Sequence, residues 1–310
     1  MMTDEEHQAL LAAAEAAHAE WVPGHTSMTD LDPEERRLRL GYTPAPDEPT
    51  LEQREALAAG GLGLAALAGG PALPQAIDWR DNNGSFVTTI KDQSSCGSCV
   101  AFGTAATMES RQLIVQRTPI GTGPILDLSE AHLFYCGNNA ADPCRQGWQP
   151  DRALRFATNT GVVPESCFPY TSGNQPCRPC DDWLTKVTKV GGSHSISNVN
   201  DMKRWLSTNG PLITCFTIYE DLYAYRGGIY SHVSGQLEGG HCVSCIGYDD
   251  AAQAWICKNS WGLGWGDRGF FRIKYGQVGI DATMWAVDNF STIFVPPDAP
   301  SAGHKHAAGH

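Results

Sequence analysis

The chain contains 310 residues, of which 42% are hydrophobic and 18% are charged, so it can build one large domain or two smaller lobes and is not disordered as a whole. Its 22 lysines and arginines are outnumbered by 34 aspartates and glutamates, and the formal charge of −12 argues against broad binding to nucleic acid. The longest apolar-looking stretch, residues 57–70, is interrupted by five glycines and is shorter than the roughly 18 residues of a membrane span, so no bilayer crossing is predicted.

The N-terminal seventy or so residues differ from the rest because they contain no cysteine. Residues 3–20 predict a helix, and a second charged helical stretch precedes a segment rich in Pro and Asp at residues 42–50. The glycines in the Ala/Leu run that follows predict a flexible junction. We therefore expect a detachable region over residues 1–72. Its acidic start lacks the basic and apolar parts of a secretory signal peptide.

Residues 73–294 carry all eleven cysteines and predict one continuous folded body. Apolar residues at helical spacing predict a helix from Val100 to Arg117. Two shorter helices are expected to follow, with Ser129 and Asp151 as their N-terminal caps. The first half of the body is therefore predicted to be mainly helical.

The second half of the body changes to extended runs separated by turns rich in Gly and Asp. The fold class predicted is α+β, with a helical lobe at about residues 73–190 and an antiparallel β lobe at about residues 191–294. A cleft between the lobes is the expected place for a site. Residues 295–310 are predicted to form a disordered tail. The predicted strands lie at residues 212–219, 241–248, 254–258 and 270–275.

An odd number of cysteines leaves at least one unpaired, as a reactive thiol or as a core residue. Cys99 stands where the predicted helix begins, and the free amides and positive end of a helix favour the nucleophilic thiolate. His241 supplies an imidazole that would strengthen this effect. Asn259 supplies an amide that could orient the ring.

These segments resemble the papain-like cysteine proteases, which are marked by a Cys-Gly-Ser/Ala-Cys-aromatic signature with His and Asn downstream. His241 follows Cys99 by 142 residues and Asn259 lies 18 residues further on, in the order of the family. The resemblance runs from Leu73, where the sequence looks like a mature N-terminus, through Tyr275. It implies the two-lobed papain-like fold with a β-barrel-like second lobe. It also implies a cysteine endopeptidase made as an autoinhibited zymogen.

The resemblance implies catalytic roles for four residues. Cys99 would be the nucleophile, and His241 would be the base and then the acid for the leaving amine. Asn259 would orient the imidazole. Gln93 would help the backbone N–H of Cys99 to hold the developing oxyanion.

Four further residues are implied in substrate binding. Gly147 would bind the peptide main chain, and Trp148 would border the subsite two residues before the cut. Trp261 would shield the contact between Asn259 and the histidine from water. Gly240 precedes the histidine where Asp or Asn is common in the family, and Val100 replaces an aromatic residue. These departures predict an active enzyme with altered pH dependence or subsite preference.

The same resemblance implies that disulfides staple the helical lobe. Cys96 would pair with Cys144, and Cys136 would pair with Cys177 or with one of two other cysteines. Residues 28–35 resemble an inhibitory propeptide stretch, so residues 1–72 are expected to lie across the cleft in the reverse direction to substrate. The alternatives for Cys136 are Cys167 and Cys180, and the bonding of Cys215, Cys242, Cys245 and Cys257 stays open.

Two other functions fit parts of the sequence. A thiol–disulfide oxidoreductase would use Cys96 and Cys99, but it leaves the downstream His and Asn blocks unexplained. A non-catalytic homologue would only bind peptides in the cleft. The Cys-x-x-Cys pairs at Cys177 and Cys242 offer zinc half-sites, but no metal or cofactor is expected.

The expected partners are peptide or protein substrates and the chain's own propeptide, without nucleic acid or a membrane span. A monomer is expected. Disulfides favour an extracytoplasmic setting, secreted or lysosome-like. The sequence leaves open the substrate preference, the choice between endo- and exopeptidase action and the biological role.

Overall fold

The computed structural model describes residues 1–65, 73–124 and 126–295, with the side chains of residues 61–65 excepted. The helices in these ranges are α1 (Asp4–Ala16), α2 (Pro33–Arg37), α3 (Leu51–Ala65), α4 (Cys99–Gln116), α5 (Pro143–Gln146), α6 (Pro150–Asn159) and α7 (Val199–Thr208). The strands are β1 (Glu20–Pro23), β2 (Ala76–Asp78), β3 (Lys189–Ile196), β4 (Leu212–Tyr219), β5 (Tyr225–Tyr230), β6 (Leu237–Asp249), β7 (Ala254–Lys258), β8 (Phe270–Lys274) and β9 (Met284–Thr292).

The strands form one sheet in the order β1-β5-β8-β7-β6-β4-β9-β3, with β2 paired to β6. The described pairs are antiparallel except for β5 with β8. Strands β1 and β3 stay at the two edges, so over the described residues the ladder does not close into a barrel. The predicted α+β class is confirmed, and "barrel-like" describes this open sheet only loosely.

Helix α4 lies close against strand β6, and this contact places the first turn of the helix beside His241. Gly103 allows the approach, because a Cβ there would meet the backbone oxygen of Val243 at 3.1 Å. One turn further on, the hydroxyls of Thr107 and Ser244 lie 2.8 Å apart. Cys99 and His241 are both fully buried at the same end of this interface.

The helices predicted for residues 73–294 are present at the expected positions, but some of their ends and caps differ from the prediction. Helix α4 begins at Cys99 and ends where Arg117 adopts a left-handed conformation, with a φ of 54°. Ser129 caps its turn as expected, since its hydroxyl accepts from the N–H of His132 at 2.9 Å. Asp151 is not the cap of α6, because the helix already begins at Pro150, whose ring suits a first helical position.

The N-terminal region is more ordered than its composition predicts. Helix α1 ends at Ala16, and β1 follows it as an edge strand on β5. The first glycines of the predicted junction, at residues 60–63, lie within α3, which continues to Ala65. Residues 66–72, the remainder of that junction, and residues 296–310 of the predicted tail lie outside the described residues. No described helix has the length and hydropathy to cross a bilayer.

Candidate active site

Cys99 is the first residue of α4, and its sulfur lies among backbone N–H groups. Ser98, the preceding residue, makes no side-chain cap, so the first amides of the helix remain available to other acceptors. Burial raises the pKa of the Cys99 thiol to about 12, and hydrogen bonds from the backbone of Cys242, Gly41 and Val100 act in the opposite direction. In this closed state the thiol is therefore neutral.

His241 lies on β6 with one ring nitrogen fixed and the other free. Its Nε2 lies 2.8 Å from Oδ1 of Asn259. That oxygen also accepts from the N–H of Ser260 at 2.8 Å, which identifies it as the acceptor and puts the imidazole proton on Nε2. The Nδ1 atom is buried and has no hydrogen-bond partner among the described residues. His241 therefore presents an unprotonated nitrogen that can take a proton.

Burial also sets the charge of the imidazole. It lowers the pKa of His241 to about 4, against the opposing effects of the Asn259 side chain and the Arg39 backbone. Trp261 covers the ring, with centroids 4.6 Å apart, and is itself fully buried. A neutral imidazole thus accompanies a neutral thiol in the described state.

Gln93 is held so that its amide N–H groups point toward the groove. Its Oε1 accepts from the Ser260 hydroxyl at 2.7 Å, which leaves Nε2 as the donor. Nε2 donates to the carbonyl of Cys96 at 2.8 Å and to the carbonyl of Arg39 at 3.0 Å. The carbonyl oxygen of Arg39, in the N-terminal region, thus accepts a hydrogen bond from the side-chain amide of Gln93.

The segment from Arg39 to Thr43 fills the groove between the two lobes. The N–H of Tyr42 donates to the carbonyl of Gly240 at 3.0 Å, on the β side. On the helical side the N–H of Trp148 donates to the carbonyl of Gly41 at 2.7 Å. The backbone on either side of the Gly41–Tyr42 peptide is therefore bonded to both walls of the groove, through Tyr42 to Gly240 and through Gly41 to Trp148.

The sequence of residues 73–287 matches the family described as "Papain family cysteine protease". The chain belongs to the papain family of cysteine proteases. It is accordingly a cysteine peptidase that hydrolyses peptide bonds, and the predicted papain-like fold is confirmed.

The relatives with the most similar sequences include cathepsin-like enzymes. Cathepsin B-like CP2 of Giardia intestinalis is 35% identical over 217 residues, which cover 66% of this chain and 70% of that protein. A gut-specific cysteine proteinase of Caenorhabditis elegans is 32% identical over 228 residues, which cover 64% of this chain and 68% of that protein.

Solved proenzymes share the fold of nearly the whole chain, N-terminal region included. Procathepsin B S9 from Trypanosoma congolense has a TM-score of 0.74 at 23% identity and covers 94% of this chain and 99% of that one. Procathepsin L2 from the larval midgut of Tenebrio molitor has a TM-score of 0.71 at 26% identity, and the match covers 91% of this chain and 88% of that one. The papain-family peptidase is therefore seen here in a zymogen-like form.

The four substrate-binding candidates lie along the groove or beside it. Gly147 has a φ of 66°, and a Cβ there would collide with the carbonyl of Gly41. Its own carbonyl is taken by the Asn138 side chain at 2.8 Å, so Trp148 and not Gly147 bonds the N-terminal segment. Gly240 supplies a main-chain acceptor, as described above. The role of Gly147 toward substrate stays a prediction.

Eight cysteines form disulfides and three remain as thiols, so more than one cysteine is unpaired. Cys96 is bonded to Cys144, and Cys136 is bonded to Cys177, which resolves the open choice. Because Cys96 is bonded, it cannot act with Cys99 as a redox dithiol, and the oxidoreductase alternative is disfavoured. The other two disulfides join Cys167 to Cys180 and Cys215 to Cys242, and the free thiols are Cys99, Cys245 and Cys257.

Ser260 is a residue of the site that the sequence did not single out. Its hydroxyl orients Gln93 and its N–H orients Asn259, so one residue fixes two of the predicted site residues. The adjacency of Ser260 to Asn259 was visible in the sequence. Its contact with Gln93, 167 residues away, was not.

Proposed function

We propose that Cys99 and His241 form the nucleophile and the acid–base group of this peptidase, with Asn259 and Gln93 as orienting and oxyanion-binding residues. The observation that carries the assignment is the free Nδ1 of His241, buried beside the Cys99 helix start while Asn259 fixes Nε2. A base needs an unoccupied nitrogen at the nucleophile and a partner that holds the tautomer. The arrangement supplies both.

The reaction follows from these positions. The Cys99 sulfur, its proton passed to Nδ1 of His241, attacks the peptide carbonyl and forms a C–S bond. The resulting oxyanion accepts from Nε2 of Gln93 and from the backbone N–H of Cys99. His241 then gives its proton to the amine as the C–N bond breaks, leaving an acyl-enzyme. Water, deprotonated by His241, attacks the acyl group and releases the acid and the free thiol.

In this proposal residues 1–72 act as a propeptide that excludes water from the site and keeps the Cys99 thiol and the His241 imidazole uncharged. The Arg39 carbonyl accepts a hydrogen bond from the side-chain amide of Gln93, and the Gly41 carbonyl accepts one from the N–H of Trp148. Cleavage near Leu73 would release this segment and let water into the groove. The desolvation that now keeps the thiol and imidazole neutral would fall, which favours the thiolate–imidazolium pair.

Gly41→Ala is expected to undo this inhibition. A Cβ at Gly41 would overlap the carbonyl of Gly97, and the backbone there cannot yield as a flexible side chain can. Overpacking of this kind costs about 1–3 kcal/mol, so initial coumarin release by the uncleaved chain should rise about 5- to 150-fold. Gly60→Ala is the control, because a Cβ there meets nothing within 4 Å. Equal latency in the two variants would contradict the proposed docking.

Gln93→Ala should lower kcat of the processed enzyme by about 100- to 1,000-fold, because it removes one oxyanion donor. KM should change little, since the interaction strengthens mainly in the transition state. Steady-state kinetics on a dipeptidyl-coumarin substrate measure both constants. Gln116→Ala, at an exposed position near the end of α4, is the control. A kcat within a factor of about two of wild type would remove Gln93 from the mechanism.

The setting and partners belong to the same proposal. Four disulfides are typical of proteins made in an oxidising compartment, which supports an extracytoplasmic, secreted or lysosome-like location. The groove, with main-chain bonding groups on both walls, suits an extended peptide or protein segment. We propose that the enzyme acts on such substrates as a monomer.

The test uses protein processed at acid pH, with N-terminal sequencing to find a start near Leu73. Processed protein should release coumarin from a dipeptidyl substrate. An epoxide that traps reactive cysteines should abolish this activity and appear on the peptide that contains Cys99. An epoxide bound elsewhere, or activity that survives complete labelling of Cys99, would overturn the assignment.

A further inference from the structure

Two of the three free thiols face each other across the sheet. Cys245 on β6 and Cys257 on β7 are direct partners in an antiparallel pair, and both are fully buried. Burial, together with the adjacent Cys245 thiol, raises the pKa of Cys257 well above its ordinary value. The two sulfurs are therefore neighbours, and the proposed mechanism uses neither of them.

The geometry of this pair suits a disulfide. Residues that lie directly opposite each other in an antiparallel pair have Cα atoms about 4.5–5.5 Å apart, within the range of about 4.4–6.8 Å that disulfides span. The same sheet holds a bonded example, because Cys215 on β4 lies directly opposite Cys242 on β6 and is joined to it. The pair formed by Cys245 and Cys257 thus repeats the register of a disulfide that the chain already makes.

The two pairs lie on opposite faces of β6. Cys242 and Cys245 are three residues apart on this strand, and side chains alternate between the faces of a sheet. Accordingly, Cys215 and Cys242 belong to one hydrophobic cluster, while Cys245 and Cys257 belong to another. A bond between Cys245 and Cys257 would join β6 to β7 on one face, as the existing bond joins β6 to β4 on the other.

Little in the structure opposes the formation of this bond. The Cys245 sulfur donates to the carbonyl of Gly247 at 3.5 Å, a weak hydrogen bond that the disulfide would give up. Four other cysteine pairs of the chain are oxidised, which indicates folding under conditions that oxidise neighbouring thiols. Because both sulfurs are buried, a dissolved oxidant reaches them only before β6 and β7 have paired, or when the pair opens.

We propose that Cys245 and Cys257 are an oxidation site that closes a fifth disulfide between β6 and β7, and that the thiols described above are its reduced form. The oxidant is a small disulfide such as oxidised glutathione. The thiolate of one cysteine attacks a sulfur of the oxidant and releases one reduced glutathione, and the second cysteine then attacks the mixed disulfide and releases another. One S–S bond replaces two S–H bonds of the protein, and two electrons and two protons pass to glutathione.

The bond would stabilise the part of the sheet that leads into the active site. Strand β7 ends at Lys258 and is followed by Asn259, while β6 carries His241. Closing the loop of residues 245–257 removes conformations from the unfolded chain and so favours the folded one. The oxidised form should therefore unfold at a higher temperature than the reduced form. Neither sulfur takes part in the proposed catalysis, so the cross-link can be tested without measuring activity.

The test uses the full chain with Cys99→Ala, in which Cys245 and Cys257 are the only described cysteines without a disulfide. The protein is folded with excess oxidised glutathione, denatured without a reductant, labelled with iodoacetamide and mapped by mass spectrometry after proteolysis. We expect no label at either residue and a joined pair of peptides that carries Cys245 and Cys257. Two labelled thiols in the folded product, or glutathione attached to either one, would overturn the proposal.

A double-mutant cycle on the same background measures what the bond contributes to stability. Cys245→Ala and Cys257→Ala each abolish the bond, and each should lower the midpoint of thermal unfolding by about 5 °C or more. Once one cysteine is replaced no bond is left to lose, so the second substitution should add only a small packing effect. Additive losses in the double variant would contradict the proposal. If a variant fails to fold, the peptide map of the chain that keeps both cysteines decides the question.

Discussion

Replacing Cys99 by alanine should abolish peptide hydrolysis by the processed enzyme, with a loss of kcat/KM of at least about 10,000-fold. No other described thiol is placed to substitute for it, since Cys245 and Cys257 face each other across the β6–β7 pair. Without the sulfur no acyl-enzyme can form, and the remaining groups can only bind the substrate and polarise its carbonyl. Progress curves on the coumarin substrate, followed for hours, give the residual rate.

The matched control is Cys245→Ala, which removes another buried thiol and leaves Cys99 in place. It should retain activity and epoxide labelling. Activity in Cys99→Ala that is inhibited by the epoxide as in wild type would mean that another residue is the nucleophile. Circular dichroism and thermal unfolding of both variants would show that the comparison is between folded proteins.

Replacing His241 by alanine should lower kcat/KM by roughly 1,000-fold or more, because the same ring takes the thiol proton and protonates the leaving amine. The variant keeps Cys99 but loses the cation that stabilises the thiolate. Its remaining activity should therefore rise toward alkaline pH as the thiol ionises without help. A pH–rate profile separates this effect from a general loss of structure.

His194→Ala is the control for His241. His194 lies on β3 and pairs with Asp288 at 2.6 Å, and its side chain is 46% exposed. Loss of an exposed pair of this kind contributes little to stability, so the control should keep nearly full activity and a wild-type pH profile. A His241→Ala enzyme with a wild-type profile would exclude the imidazole from the proton transfers.

The features that could be predicted from the sequence alone are local in the chain or belong to the sequence signature of the family. The bounds of β4 and β7 match their predicted runs because these strands are short, mostly apolar runs. The three segments around Cys99, His241 and Asn259 identified the family through their order and spacing.

The missed elements have specific physical reasons. Strand β5 contains two adjacent glycines and β3 contains two more, so neither shows a strong strand pattern. Helix α3 has a start signal in the reciprocal contacts between Thr50 and Gln53, but three glycines in its C-terminal half obscured it. Helix propensity is a weak prior that packing overrides, and α3 docks through Arg54.

The groove contacts depend on tertiary structure and leave no mark in the sequence. The Arg39 carbonyl meets Gln93 across 54 residues, and Arg54 meets the Cys215 carbonyl across 161. Both acceptors are main-chain oxygens, which every residue carries. The pairing of Cys215 with Cys242 likewise depends on the β4–β6 register and could not be predicted from the positions of the cysteines in the sequence.

The most direct measurement of the central claim is the pH dependence of Cys99 alkylation by iodoacetamide, followed by peptide mapping in the zymogen, the processed enzyme and processed His241→Ala. The processed enzyme should be alkylated rapidly at Cys99 near about pH 6, well below the ordinary thiol pKa of about 8.5, because the imidazolium stabilises the thiolate. The zymogen should react slowly there, since burial raises the pKa of Cys99 to about 12, and His241→Ala should react only as the pH approaches the ordinary value. A processed enzyme whose Cys99 needs alkaline pH, or whose profile is unchanged by loss of His241, would contradict the account.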